Sequence, residues 1–207
     1  MPTLSKIMEH RLIAIIRGLA PADVQAVAEA LYAGGIRLLE VTLNSADPLT
    51  VIRQLSEAMS GRMIIGAGTV LDPQMAEAAI AAGARFLLSP VVDADVIRTT
   101  KALGAVSIPG AYTPTEIFAA HRAGADLVKV FPATTPAYIR GIAGPFPYIP
   151  LLPSGGLTPE NIPDYRAAGA VAFGVGSTLI EKADAITPAY LERLTERAAR
   201  FVAAVAD

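Results

Sequence analysis

The chain has 207 residues, of which 53% are hydrophobic and 17% charged, with a formal net charge of −2. So much apolar side chain can offset the ordering entropy of a folded core, which excludes a disordered chain, while balanced charge and scattered basic residues exclude a nucleic-acid binder. Cysteine is absent, which removes disulfides, thiolate metal sites and cysteine nucleophiles together.

The start of the chain, Met1 to Arg17, interrupts its apolar stretches with charged residues and lacks the long apolar centre of a signal peptide. No window downstream approaches a membrane span, so the expectation is a cytoplasmic protein without membrane contact. Apolar runs then follow at Ile13–Arg17, Leu38–Thr42, Ile64–Thr69, Phe86–Pro90, Val106–Gly110, Leu127–Pro132, Tyr148–Ser154 and Val171–Gly176, giving eight candidate strands. Helix-end glycines at Gly34, Gly61, Gly83, Gly104, Gly124 and Gly169 lead most of them in. Proline-marked helix starts follow at Asp47-Pro48, Asp72-Pro73, Thr113-Pro114 and Thr158-Pro159, with a weaker case at Ala20-Pro21. The Pro- and Gly-rich gap from Ala133 to Pro147 has room for a brief helix, and Pro188 to Val205 reads as the closing one.

Strict βα alternation predicts a parallel sheet, and eight repeats favour closure into a single α/β domain over residues 1–207, a (β/α)8 TIM barrel. Its length sits at the short end for that fold, which begins at about 200 residues. The low charge leaves apolar surface for other subunits to cover, so an oligomer is expected. In such barrels chemistry gathers at the C-terminal ends of the strands, which directs attention to the residues found there.

Four lysines occur, and Lys6, Lys101 and Lys182 fall in segments that read as helix faces or ends. Lys129 lies instead within Leu-Val-Lys-Val-Phe-Pro, a strand apolar on both faces, where an ammonium is costly. Desolvation lowers an amine's pKa and frees its lone pair for attack on a carbonyl, so Lys129 is the candidate nucleophile. Glu40 is equally out of place in Leu-Leu-Glu-Val-Thr-Leu. The period of two puts Leu38, Glu40 and Thr42 on one face and Leu127, Lys129 and Phe131 on one face of theirs. Strands two and six of an eight-stranded barrel are opposite, so the two side chains can meet on the axis, where Glu40 is placed to shuttle protons. A purely structural ion pair of Glu40 with Lys129 or Arg17 is the alternative.

Arg17 ends the first strand in the inward phase of Ile13 and Ile15, and its fork suits a substrate carboxylate or Glu40 itself. Thr69 ends Ile-Ile-Gly-Ala-Gly-Thr and can donate to a bound carboxylate. The pairs Gly155-Gly156 and Gly174 to Ser177 close the last two strands, where barrels frequently hold a phosphate on backbone N–H groups. With Pro90 and Ser154 at neighbouring strand ends, the substrate-binding set is Arg17, Thr69, Pro90, Ser154, Gly155, Gly156, Gly174 and Ser177. The two histidines, His10 and His121, lie on helical segments and Glu40 is the one acidic strand-end residue, so no metal site is expected and no cofactor is implied.

These segments are similar to one family across nearly the whole chain: Ile-Ala-Ile-Ile-Arg-Gly at 13–18, Leu-Glu-Val-Thr-Leu at 39–43, Gly-Ala-Gly-Thr-Val at 66–70, Ser-Pro at 89–90, Pro-Gly at 109–110, Val-Lys-Val-Phe-Pro-Ala at 128–133, Gly-Gly at 155–156 and Gly-Val-Gly-Ser at 174–177. They resemble the 2-keto-3-deoxy-6-phosphogluconate and -galactonate aldolases, which also cleave 4-hydroxy-2-oxoglutarate. The resemblance implies a homotrimer without metal, a Schiff base at Lys129, proton transfer by Glu40, a phosphorylated keto-acid substrate, and release of pyruvate and glyceraldehyde 3-phosphate. Leu-Asn-Ser at 43–45 and Ile-Ile-Arg-Gly resemble the galactonate branch, whereas the hydroxyl of Ser154 resembles the gluconate one; galactonate is the expectation. A phosphosugar isomerase using Glu40 as a base, and a non-catalytic phosphate-binding or scaffold barrel, are the rival readings.

Overall fold

The computed structural model describes residues 2–206. After an opening helix α1 (Pro2–His10), strands and helices alternate: β1 (Leu12–Ile16), α2 (Pro21–Ala33), β2 (Leu38–Thr42), α3 (Pro48–Ala58), β3 (Ile64–Gly68) and α4 (Pro73–Ala81). The alternation continues through β4 (Phe86–Leu88), α5 (Ala94–Ala102), β5 (Val106–Ile108) with β6 (Gly110–Ala111), α6 (Pro114–Arg122), β7 (Val128–Val130) and α7 (Pro136–Ala143). It ends with β8 (Leu151–Pro153), α8 (Ile162–Ala167), β9 (Phe173–Val175) and α9 (Pro188–Val205).

All strand pairings are parallel, running β5-β4-β3-β2-β1-β9 in one sheet and β6-β7-β8 in the other. The two join on both sides. Pro109, lacking an N–H, divides one barrel strand into β5 and β6, so β5 pairs with β4 while its continuation pairs with β7. On the other side single bridges Ser154↔Gly174 and Leu151↔Ala170 link β8 to β9. The result is the eight-stranded (β/α)8 barrel, in which β2 and β7 stand on opposite sides with three strands between them either way round.

Side chains alternate as the period of two requires. Ile13, Leu38, Phe86, Leu88, Ile108, Leu127 and Leu152 cluster inside the barrel, while Ala14, Leu39, Val41, Val128 and Val130 pack outward against the helices. Helix α1 lies outside the eight βα units and adds Leu4 and the fully buried Ile7 to the interior cluster, closing its lower end with apolar surface. Gly66 faces Phe86 so closely that a Cβ there would lie 2.3 Å from the ring.

The helix starts at Pro21, Pro48, Pro73 and Pro114 stand where the prolines place them, and the Asp72 and Thr113 side chains accept the expected capping bonds. Two expectations are corrected. Thr158-Pro159 begins a turn and not a helix: Thr158 N–H donates to Asn161 Oδ1, and α8 starts only at Ile162. Tyr148 to Pro150 precede β8 as a turn, since Pro147 and Pro150 cannot donate to a ladder and Ile149 N–H instead reaches back to the Phe146 carbonyl. Gly34 is the C-cap of α2, as expected. The left-handed residue is Gly35, at φ +97°, whereas Gly34 lets α2 approach α9: a Cβ would lie 2.5 Å from both Ala198 Cβ and the Thr195 carbonyl oxygen.

Overpacking that contact makes Gly34→Ala about 1–3 kcal/mol less stable in a urea titration. Gly141→Ala, in α7 with no neighbour within 4 Å of the added carbon, gains about 0.5–1 kcal/mol instead.

Candidate active site

Each functional strand end is placed by the alternation of its strand. On β7, Val128 and Val130 face the helices, which turns Lys129 inward; only 7% of it is exposed. On β2, Leu39 and Val41 face outward, leaving Glu40 and Thr42 inside at 1% and 0%. Arg17 continues the inward phase of Ile13 and Ile15 beyond the end of β1, as the strand period predicts.

Glu40 fits because β3 presents glycine opposite it. A Cβ on Gly68 would lie 1.6 Å from Glu40 Oε1, a distance no side chain survives. Gly66 and Gly68 thus clear the interior in turn for Phe86 and for the carboxylate. The structural ion pair is not formed: among the described residues neither Lys129 nor Arg17 makes a salt bridge to Glu40, and Glu40 Oε2 is buried without any hydrogen-bond partner.

Burial pushes the Glu40 carboxyl above the usual carboxylate range, against the smaller opposing pull of Lys129 and Arg17. Burial likewise holds the Lys129 amine below the usual lysine range, partly opposed by Glu40 and reinforced by Arg17. Both groups are driven toward their uncharged forms, an amine with a free lone pair beside a carboxyl able to donate or, once ionised, accept a proton. The Lys129 ammonium position lies 4.8 Å from the centre of the Phe131 ring.

Above these groups opens a cavity of about 530 Å³ at the C-terminal mouth. It brings together Arg17, Lys129, Ser154, Gly155, Gly156, Gly174 and Ser177 from the expected set. Glu40, although electrostatically coupled to Lys129, is too deeply buried to line it. Thr69 and Pro90 also fall outside the lining. Thr69 takes the left-handed backbone at φ +59°, a strained conformation for a β-branched residue, between backbone bonds at Gly68 and Val70. Pro90 abuts Gly110, whose added Cβ would lie 2.7 Å from the Pro90 carbonyl carbon.

The last two loops form the cavity's far wall. Gly155 and Gly156 both have positive φ, at +96° and +68°; Gly155 N–H faces the Gly174 carbonyl across the Ser154↔Gly174 bridge, whereas the N–H groups of Gly156 and Ser177 find no backbone partner among the described residues. Thr178 Oγ1 donates to the Leu157 carbonyl at 2.7 Å and ties the two loops together. On the near side Gly18 N–H donates to Ser45 Oγ at 3.0 Å, which in turn bonds Thr42 Oγ1, fixing the backbone next to Arg17.

Phe131 and Lys182 line the cavity and were missing from the expected set. Phe131 shares the inward phase of Lys129, so the strand period carried its signal. Lys182 lies in an irregular segment and not on a helix face or end; the cap at Thr187-Pro188, five residues later, marks that segment as loop. Among the described residues no group of three His, Cys, Asp or Glu side chains comes together as a metal requires, and no helix is long and apolar enough to cross a membrane.

The family model "KDPG and KHG aldolase" matches residues 4–196. This chain belongs to that family. It is 40% identical to a probable 2-dehydro-3-deoxy-6-phosphogalactonate aldolase of Rhizobium meliloti, covering 83% of this chain and 82% of the relative. It is 38% identical to a 2-dehydro-3-deoxy-phosphogluconate aldolase of Pseudomonas aeruginosa, over 92% and 88%. Its fold superposes with TM-score 0.82 and 28% identity on a KDPG aldolase of Legionella pneumophila holding pyruvate as a covalent carbinolamine, covering 95% and 96% of the two chains.

The site's electrostatics carry a stability cost with a definite pH signature. The raised folded-state pKa of Glu40 means that its favourable contribution is complete below the ordinary carboxylate pKa and is lost as pH rises through the raised value. Glu40→Gln is therefore about as stable as the wild type near pH 4, and about 1–3 kcal/mol more stable near pH 8, in paired urea titrations. Equal stability at both values contradicts a desolvated, unpaired carboxylate.

Proposed function

We propose that this aldolase cleaves a 2-dehydro-3-deoxy-6-phospho-aldonate to pyruvate and D-glyceraldehyde 3-phosphate through a Schiff base on Lys129. The observation that carries the reading is the buried pair itself: a lysine without an ion pair, under a cavity, beside a carboxylate whose Oε2 is unsatisfied.

The Lys129 amine adds to the C2 carbonyl, and loss of water from the carbinolamine gives an iminium that withdraws electrons from the C3–C4 bond. Glu40, as carboxylate, accepts the C4 hydroxyl proton while that bond breaks; the aldehyde departs and an enamine remains on Lys129. The same proton then returns to C3, and water releases pyruvate and restores the amine. Arg17 is suited to the substrate carboxylate or to Glu40. The free N–H groups of Gly156 and Ser177, with Gly155, Gly174 and Ser154 beside them, suit the phosphate. Thr69 and Pro90, outside the cavity lining, are read as supporting the β3 and β4 ends of the mouth.

Galactonate is the favoured series, on Leu-Asn-Ser at 43–45; the Ser154 hydroxyl, 4% exposed, fits the gluconate series. A triply anionic substrate does not diffuse through a bilayer, so the enzyme works where that substrate is made, which we take as the cytoplasm. We also infer a homotrimer, supported by large apolar side chains such as Leu71, Val91 and Tyr148 left about half exposed.

Borohydride with pyruvate leaves a reduced adduct that peptide mass mapping finds on Lys129, and Lys129→Ala neither traps pyruvate nor cleaves either phosphorylated epimer. An adduct on another lysine, or turnover without pyruvate release, overturns the mechanism. Kinetics on the two purified epimers rank the substrates, with the galactonate form cleaved at the higher kcat/KM. Light scattering gives a particle of three times the 21.5 kDa chain.

A further inference from the structure

Lys182 is the lysine whose charge the rest of the chain leaves unused. Lys6 pairs with Glu9 and Lys101 with Asp126, and Lys129 lies against the Phe131 ring. Among the described residues Lys182 forms no ion pair, hydrogen bond or ring contact, yet it lines the central cavity together with Gly155, Gly156 and Ser177.

Its position is built by α9. Tyr190, 5% exposed, donates its hydroxyl to the Glu181 carbonyl at 2.9 Å, fixing the backbone one residue before Lys182. Arg197 donates to the Leu179 carbonyl at 3.0 Å and holds the Glu181 carboxylate at 2.7 Å. Glu181 is the acidic residue among those lining the cavity, and the clamp by Arg197 draws its charge away from its neighbour. Lys182 therefore brings a cation without an ion-pair partner among the described residues to the wall that Gly156 and Ser177 also line, while the other two cations of the lining are Lys129 on β7 and Arg17 just past the end of β1.

We propose that Lys182 contacts the substrate phosphate and sets the preference for phosphorylated over unphosphorylated keto-acids. A flexible four-carbon stem ending in a compact ammonium suits a dianion approached from solvent, whose contact is made equally in ground and transition states. Such uniform binding lowers KM without altering kcat. The placement of phosphate on this wall rests on the function proposed above.

Lys182→Ala raises KM for the phosphorylated substrate about tenfold, as loss of one charge-assisted contact does, with kcat held within about twofold. KM for the same sugar acid lacking its phosphate rises less than about twofold, Lys182→Arg restores most of the affinity, and Lys182→Glu exceeds the alanine effect. An equal KM rise with both substrates, or none with either, overturns the proposal. Inorganic phosphate titrated against thermal unfolding provides a readout independent of turnover: its apparent Kd weakens about tenfold in Lys182→Ala. Unchanged phosphate affinity overturns the role of Lys182, whereas a Lys182-dependent phosphate site in a wild-type protein that cleaves neither epimer keeps that role and overturns the proposed reaction.

Discussion

An amine and a carboxylate share the dry interior of this barrel without neutralising each other by an ion pair, and the architecture around them is arranged so that this is tolerable. Water would solvate Glu40 and Lys129 and return both toward their ordinary pKa values. The apolar layer of Ile13, Leu38, Leu127 and Leu152 below them, with Ile7 of α1 beneath it, keeps water from the lower end. What remains is an electrostatic tension in which each group is pushed toward neutrality by burial and pulled back by the other. An unprotonated lysine and a carboxyl that exchanges a proton are the two states that the proposed carbonyl addition and carbon–carbon cleavage require, so on that reading the burial that costs stability also supplies reactivity.

The rest of the mouth distributes charge outward from that pair. Arg17 and Lys129 stand where β1 and β7 end, and the loops after β8 and β9 supply N–H groups on the opposite wall, linked by the bond from Thr178 to Leu157. Cationic side chains thus stand on one side of the cavity and N–H donors on the other, the arrangement the proposed phosphorylated keto-acid calls for. Helix α9 contributes without entering the cavity: through Tyr190 and Arg197 it holds the segment that carries Lys182.

Most of this was readable from residue order because two periodicities dominate the chain. An isolated Glu or Lys in a strand apolar on both faces has no bland position to occupy, so Glu40 and Lys129 declared themselves, and the period of two placed Arg17 and Phe131 beside them. The errors share a different cause. Thr158-Pro159 has the residues of a helix start, but Asn161 three positions on offers a side-chain acceptor to the Thr158 N–H, and the chain turns before it coils. Tyr148 sits in an apolar run whose prolines remove the donors a strand needs. Lys182 resembled a helical lysine because its clamp comes from α9, eight and fifteen residues further on, which no local pattern displays. The exclusion of Thr69 and Pro90 from the lining depends on how loops fold over strand ends, a tertiary matter that spacing does not encode.

The paired glycines of β3 extend this dependence to assembly. Gly66 and Gly68 leave two hollows, one shaped for the Phe86 ring and one for the Glu40 carboxylate, and β2 meets β3 with Glu40 opposite Gly66 and Thr42 opposite Gly68. A slip of one residue would turn Ala67 inward and both hollows outward, leaving the ring and the carboxylate nowhere to go. The barrel thus proofreads its own strand alignment with the side chain proposed for its chemistry: a misaligned sheet cannot close over Glu40, and a sheet that has closed over it already holds that carboxylate in place.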